Sequence, residues 1–188
     1  NPRLPTYDLS SGDLLNTAKN TCQILEKFSL AYVLTKISNP TKASAYLARA
    51  EQEIDAVCAF PDWNAQNHFL DAAEMMSGMA VAYDWLHDDL GSDRLERMRT
   101  AIIEFGLKPA KESYENKSYF SRTDSNWNAV CNGGITLAAL AIIDDVNDRY
   151  FCIDVIRNAI RDVENVLPNY APEGGYQEGP MYAHYATT

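Results

Sequence analysis

The sequence predicts an all-α fold of antiparallel helical hairpins, and three observations predict it. Apolar residues recur at three- and four-residue spacing along most of the chain, no segment alternates apolar and polar as a half-buried strand would, and Asn39-Pro40, Phe60-Pro61 and Gly91-Ser92 cut the pattern into helix-length pieces. At 188 residues the chain is long enough for one sizeable core, so residues 1–188 read as a single domain.

Residues 1–10 hold two prolines and no periodicity, and read as an extended lead-in. The first helix is expected to begin near Ser11 or Asp13, whose side chains can cap it, with the stripe Leu15, Ala18, Cys22, Leu25, Phe28 and Tyr32. Asn39-Pro40 ends it, and Thr41 opens a helix with the stripe Ala43, Leu47, Ala50, Ile54 and Val57. Beyond the break at residues 60–64, Phe69 to Leu86 is apolar around more than half its circumference, as suits an element packed on both sides. Gly91-Ser92-Asp93 caps the next helix, with Leu95, Met98, Ile102 and Phe105 on its stripe. Residues 106–125 contain Gly106 and Pro109 and read as a polar, irregular loop, a natural carrier of function on a regular scaffold. A helix from Asn126 to Ile143 follows; Gly133 and Gly134 within it cost about 1 kcal/mol each relative to alanine, so they are expected where backbones approach closely. Ile153, Ile156, Ile160, Val163 and Leu167 mark another helix, and the chain then reaches a glycine-bent turn rich in tyrosine.

With 26 acidic against 16 basic residues and a net charge of −10, the chain has no basic stripe to neutralise phosphates, which excludes general nucleic-acid binding. No apolar run approaches the eighteen or so residues of a membrane span, and the start lacks the apolar segment of a leader, consistent with a cleaved leader or a boundary within a longer protein. Cys22, Cys58, Cys131 and Cys152 form no Cys-x-x-Cys pair and sit in helical apolar patterns, so they read as small buried hydrophobes rather than metal ligands. Whether they pair as disulfides is open at this stage.

Three stretches carry candidate chemistry: Trp63-Asn-Ala-Gln-Asn-His68, Ser125-Asn-Trp-Asn128 with Asn132-Gly-Gly134, and the terminal turn with Glu173, Tyr176, Glu178, Tyr182, His184 and Tyr185. All lie at helix N-terminal ends, and helices that run the same way in an array of hairpins present such ends on one face. Pro180 is suited to the first position of the last helix, where its missing N–H costs nothing.

In order along the chain, Pro61-Asp62-Trp63, Leu70-Asp71-Ala-Ala-Glu74, Ala82-Tyr83-Asp84-Trp85-Leu86, Asn126-Trp127-Asn128 with Gly133-Gly134, and Gly175-Tyr-Gln-Glu-Gly-Pro-Met-Tyr182 resemble the N-terminal helical domain of the heparinase II/III-like polysaccharide lyases, relatives of the alginate lyases. The resemblance runs from about residue 60 to the end. It implies an (α/α) toroid, of which this chain would be the N-terminal part, with the rest of the toroid and a β-sandwich lying outside it. It also implies an exported, periplasmic or secreted bacterial enzyme that binds an acidic polysaccharide. Such enzymes cleave a uronic acid by β-elimination: a neutral or cationic donor holds the sugar carboxylate, a tyrosine removes the C5 proton, and a tyrosine or histidine protonates the leaving oxygen. No cofactor is implied for the helical part; the C-terminal region leaves room for a structural metal. Where some relatives carry histidine this chain has Trp127 or Asn128, so neutralisation would rest on amides.

On that resemblance Asn126 is the carboxylate neutraliser, with Asn128 as the fallback, and Tyr182 is the base. Arg122 is placed to grip a carboxylate with two parallel bonds, and Trp127, Glu178, Tyr185, His184 and His68 are further candidate substrate contacts. Each has a structural alternative. Asn126 can simply cap its helix, Tyr182 and Tyr185 can be edge-of-core rings with solvated hydroxyls, His68 and His184 can be surface residues, and Trp127 and Trp63 can be wedges between helices. Two other functions stay open: an (α/α)-barrel glycoside hydrolase using a carboxylate pair drawn from Glu173, Glu178 and Asp124, and a non-catalytic α-hairpin array that binds a protein partner. The uronic acid, its linkage, endo or exo action and the oligomeric state are not written in these residues.

Overall fold

A computed structural model describes residues 3–172 and 174–187, and these are helical with no strand among them. The helices are α1 (Leu15–Thr35), α2 (Pro40–Cys58), α3 (Phe69–Leu86), α4 (Ser92–Ala101), α5 (Lys108–Glu115), α6 (Tyr119–Arg122), α7 (Asn126–Ile142), α8 (Arg149–Val163) and α9 (Pro180–Thr187). The expected hairpins are present. The helix starts differ slightly from expectation: Asn39 caps α2 through the Lys42 N–H at 3.1 Å, so Pro40 rather than Thr41 opens that helix.

Three helices run the same way side by side. Leu14 lies against Asp71 and Cys22 against Gly78, which makes α1 parallel to α3; His68 lies against Trp127 and Ala73 against Gly134, which makes α7 parallel to α3. The return helices close the other side, with α2 on α1 and α4, and α8 on α7. The all-round apolar character of α3 is explained by this position: α1, α7 and the segment Ile102–Leu107 all pack on it, and Met75, Met76, Met79, Tyr83 and Leu86 are fully buried.

Close approach is bought with glycine at two points. A Cβ on Gly134 would sit 2.4 Å from the Ala73 carbonyl oxygen, and one on Gly78 would sit 2.5 Å from the Cys22 Cα. Gly133 differs from its neighbour, since a Cβ there meets nothing within 4 Å. The expectation of a close contact therefore holds for Gly134 and not for Gly133.

The expected loop at residues 106–125 is mostly helix. The chain passes from α4 through a π-helical segment, Ile102–Leu107, straight into α5, and α6 follows after a short turn. The wider turn brings Gly106 against Met76, where a Cβ would lie 2.4 Å from the sulfur, and it delivers Pro109 to the first turn of α5. Glycine and proline here mark a change of helical pitch, not the end of helix.

Polar contacts fasten the periphery. Arg94 binds Glu51 and Asp55, and Arg97 binds Asp55, tying α4 to α2. Tyr83 donates to Asp145 at 2.6 Å and His87 contacts the same oxygen at 2.9 Å, tying the end of α3 to the turn after α7. Cys22, Cys131 and Cys152 are buried free thiols and Cys58 is half-buried and free, with burial pushing all four thiols up in pKa, as small core residues should behave.

The paired glycines give a direct test. Gly134→Ala should lower unfolding stability by about 1–3 kcal/mol through overpacking. Gly133→Ala, facing open space, should raise it by up to about 1 kcal/mol. Denaturant midpoints of the two variants measure this.

Candidate functional site

The starts of α1, α3, α7 and α9 meet at one end of the molecule and enclose a cleft of about 550 Å³. Each helix start leaves backbone N–H groups without an intrahelical acceptor, so such an end is rich in donors and partial positive charge. The cleft is lined by Leu15 and Lys19 of α1, His68 and Leu70 at α3, Asn126 and Trp127 of α7, and Met181, Tyr182 and Tyr185 of α9, with Tyr119, Ser125 and Glu178 at its edges.

Two carboxylates from distant sequence cap these helices. Asp71, only 1% exposed, accepts the Leu14 N–H at 2.7 Å and the Asn64 side-chain amide at 2.8 Å on one oxygen, and contacts His68 Nδ1 at 2.6 Å with the other. The neutral imidazole therefore carries its proton on Nδ1 when it donates to Asp71, and Nε2 has no hydrogen-bond partner among the described residues. The His68 ring stands edge-on to Trp127 at 4.7 Å, and Tyr119 stands edge-on to the same indole at 5.5 Å.

Glu178 caps α7 from the terminal turn. Its carboxylate accepts the Asn126 backbone N–H at 2.6 Å, the Asn126 carboxamide at 3.1 Å to each oxygen, and the Tyr176 hydroxyl at 2.7 Å. Burial works to raise the Glu178 carboxyl, but the bonds from Tyr176 and Asn126 outweigh it and hold the group below its ordinary value. Gly179, at φ 91°, then turns the chain so that α9 starts over the cleft.

The candidates separate clearly by position. Asn126, Trp127, Glu178, Tyr182, Tyr185 and His68 come together on the cleft. Asn126 is 5% exposed and Tyr182 is 42% exposed, so the amide sits on the floor and the phenol on the rim. Glu178, expected as a substrate contact, has both oxygens occupied and serves as the latch between α7 and the terminal turn. Asn128 is not on the cleft. It is fully buried, and its amide donates to the Phe120 and Asp162 carbonyls at 3.0 Å each, clamping α6 and α8 to α7. Arg122 and His184 are exposed and lie off the cleft lining, and Trp63 is a fully buried wedge whose indole N–H donates to the Val57 carbonyl at 3.2 Å. Glu173 lies outside the described residues, and Asp124 is exposed away from the lining.

No family model matches the chain, and no curated protein is significantly similar to it.

Sequence reasoning missed Asp71 and Lys19. The pair His68 and Asp71, three apart at a helix start, carries a signal for Asp71, because that spacing lets a first-turn carboxylate reach back to the residue before the helix. Lys19 has no local signal: it stands in the cleft because α1 packs parallel to α3, and its ammonium sits 4.0 Å over the Tyr185 ring. The Tyr185 hydroxyl is buried near Glu74 without a well-formed hydrogen bond, and burial, then the Glu74 carboxyl, push it well above the usual phenol range.

The latch has a pH dependence of known sign. A carboxyl held below its ordinary pKa contributes stability above the unfolded value and loses it as pH falls through the folded one. The Asn126 amide proton, shifted downfield by its bond to Glu178, should move upfield in an NMR titration as pH falls through the lowered value of that carboxyl. Glu178→Gln should remove that step.

Proposed function

We propose that this cleft is the site of a polysaccharide lyase that cleaves a uronic-acid-containing polymer by β-elimination. The observation that carries the reading is the convergence of the Asn126 amide, the Tyr182 phenol and the His68 imidazole on one cleft built from helix starts. The resemblance of the ordered motifs to heparinase II/III-like lyases supports it independently.

The chemistry follows from charge. The C5 proton of a uronate is hardly acidic beside an ionised carboxylate, so donors must hold the charge that develops on that group. Asn126 is fixed by Glu178: a carboxamide nitrogen carries two hydrogens, and a three-centre bond to one carboxylate uses one of them, leaving the other for the sugar. Tyr182, in the first turn of α9 and on the rim of the cleft, is the group placed to take the C5 proton. The C4–O bond breaks, a C4–C5 double bond forms, and Tyr182 passes the proton it took from C5 to the leaving oxygen, which restores the base. Trp127 and Tyr119, which line the cleft, supply aromatic surface for the sugar.

Two observations weigh against the other functions. Among the described residues Glu178 is the only carboxylate lining the cleft, whereas hydrolysis needs two carboxyls across the bond, roughly 5 to 9.5 Å apart. A protein-binding array needs no cluster of Tyr119, Trp127, Tyr182, Tyr185 and His68 in one concavity.

In the complete protein, incubation with a panel of acidic polysaccharides should yield unsaturated uronate ends, seen as rising ultraviolet absorbance. Tyr182→Phe should cut that rate by about 10²–10⁴ without changing the melting temperature, because the hydroxyl stands on the exposed rim. Full activity in that variant removes Tyr182 as the base.

A further inference from the structure

We propose that Tyr185 is the peg that sets the rotation of α9, and that Lys19 of α1, which holds the Tyr185 ring, is a positioning residue for Tyr182. The consequence for catalysis rests on the reading of Tyr182 as the base; the joint itself does not.

α9 needs such a peg. None of its described residues is fully buried, so packing alone does not orient it. The Glu178 latch holds the chain just before the helix, but Gly179 stands between latch and helix, and a residue without a side chain leaves α9 free to turn about its own axis. Tyr182 and Tyr185 are three residues apart, about 60° from one another around the helix, so whatever fixes one ring fixes the direction of the other.

Tyr185 is held from two sides. The Lys19 ammonium sits 4.0 Å over its ring, and its hydroxyl is enclosed beside Glu74 of α3. Glu178 ties the chain to α7, whereas these two supports belong to α1 and α3, so α9 is registered on one cleft wall at its start and on the other a turn later. Lys19 forms no ion pair within 4.0 Å among the described residues, although the chain carries ten more acidic than basic residues. The contact that its charge does make is with the ring.

The two phenols have separate tasks. Burial, and then the Glu74 carboxyl, push the Tyr185 hydroxyl well above the usual phenol range, so it stays protonated and does not act as a base. Tyr182 stands on the exposed rim instead. A phenol kept neutral, with its ring under a cation and its hydroxyl enclosed, is built to hold rather than to react.

In the complete protein, Lys19→Met keeps the aliphatic stem and removes the charge. Its kcat for forming unsaturated ends should fall about tenfold to a hundredfold, as a displaced base requires, with KM within about twofold of the wild type. Lys19→Arg, whose guanidinium also stacks on an aromatic face, should recover most of kcat. Tyr185→Leu should lose at least as much as Lys19→Met, and joining the two changes should add little, because both break one contact. A raised KM with unchanged kcat in Lys19→Met makes Lys19 a substrate contact and overturns the inference, as do two unchanged constants. If none of hyaluronan, chondroitin, heparan sulfate, alginate or pectin yields unsaturated ends, the lyase reading fails for them and hydrogen exchange decides the joint. The α9 amides of residues 183–187 should then exchange about threefold to thirtyfold faster in Lys19→Met and return to the wild-type rate in Lys19→Arg. An unchanged rate in Lys19→Met ends the inference.

Discussion

The structure depends most on one buried carboxylate. Asp71 is withdrawn from water, and a buried charge is tolerable only when every lone pair it offers is met by a donor. Three segments provide them: the Leu14 N–H before α1, the Asn64 amide in the turn before α3, and the His68 ring at the start of α3. Its place in the first turn of α3 adds the favourable end of the helix dipole. The turn it organises is itself constrained. Asn64 is buried with a left-handed backbone at φ 57°, Asp62 accepts its N–H at 2.8 Å, and Asn67 donates to its side-chain oxygen at 2.9 Å. Fixing this turn fixes the entry of α1 beside α3, and with it the position of Lys19 and the orientation of His68.

A second carboxylate repeats the device with a different partner. Glu178 does for α7 what Asp71 does for α1, accepting the first free N–H of a helix from a segment remote in sequence. The difference lies in burial: Asp71 is enclosed, whereas Glu178 belongs to an exposed turn. One joint is therefore permanent and the other is open to solvent and pH. The helix that carries Tyr182 is hung on the second joint.

The helices were legible in the sequence because each stripe is local, and the apolar girth of α3 correctly announced a helix with neighbours on both sides. Local rules also failed in a consistent way. Gly106 and Pro109 read as the end of a helix, yet a π-helical turn absorbs them and the chain continues into α5. Ser11 and Asp13 read as the cap of α1, and Asp13 does accept the Leu15 N–H at 3.0 Å, yet the Leu14 N–H just before it goes to Asp71, 57 residues away. No window of neighbouring residues contains such a partner. The candidate site divides along the same line. Asn126 and Asn128 look equivalent in Asn-Trp-Asn, but two residues on a helix are about 200° apart, so only one can face the cleft while the other goes inside. The same rotation sets His184 away from Tyr182, whereas Tyr185, three residues on, returns to nearly the same face.

The sign of the protein's charge makes the location of the cleft informative. With a net charge of −10, the molecule as a whole repels an anionic polymer. Over a Debye length of about 8 Å in physiological salt, however, only the nearest charges matter to a bound ligand. At the cleft those are Lys19, the donor ends of α3, α7 and α9, and Glu178, whose carboxylate is turned to the Asn126 and Tyr176 donors. Parallel helices are what make this local reversal available: each brings its positive end to the same place, and the return helices carry the opposite ends away. The acidic surface and the donor-rich cleft are therefore compatible properties of one arrangement, because the first depends on surface side chains and the second on which way the backbones run.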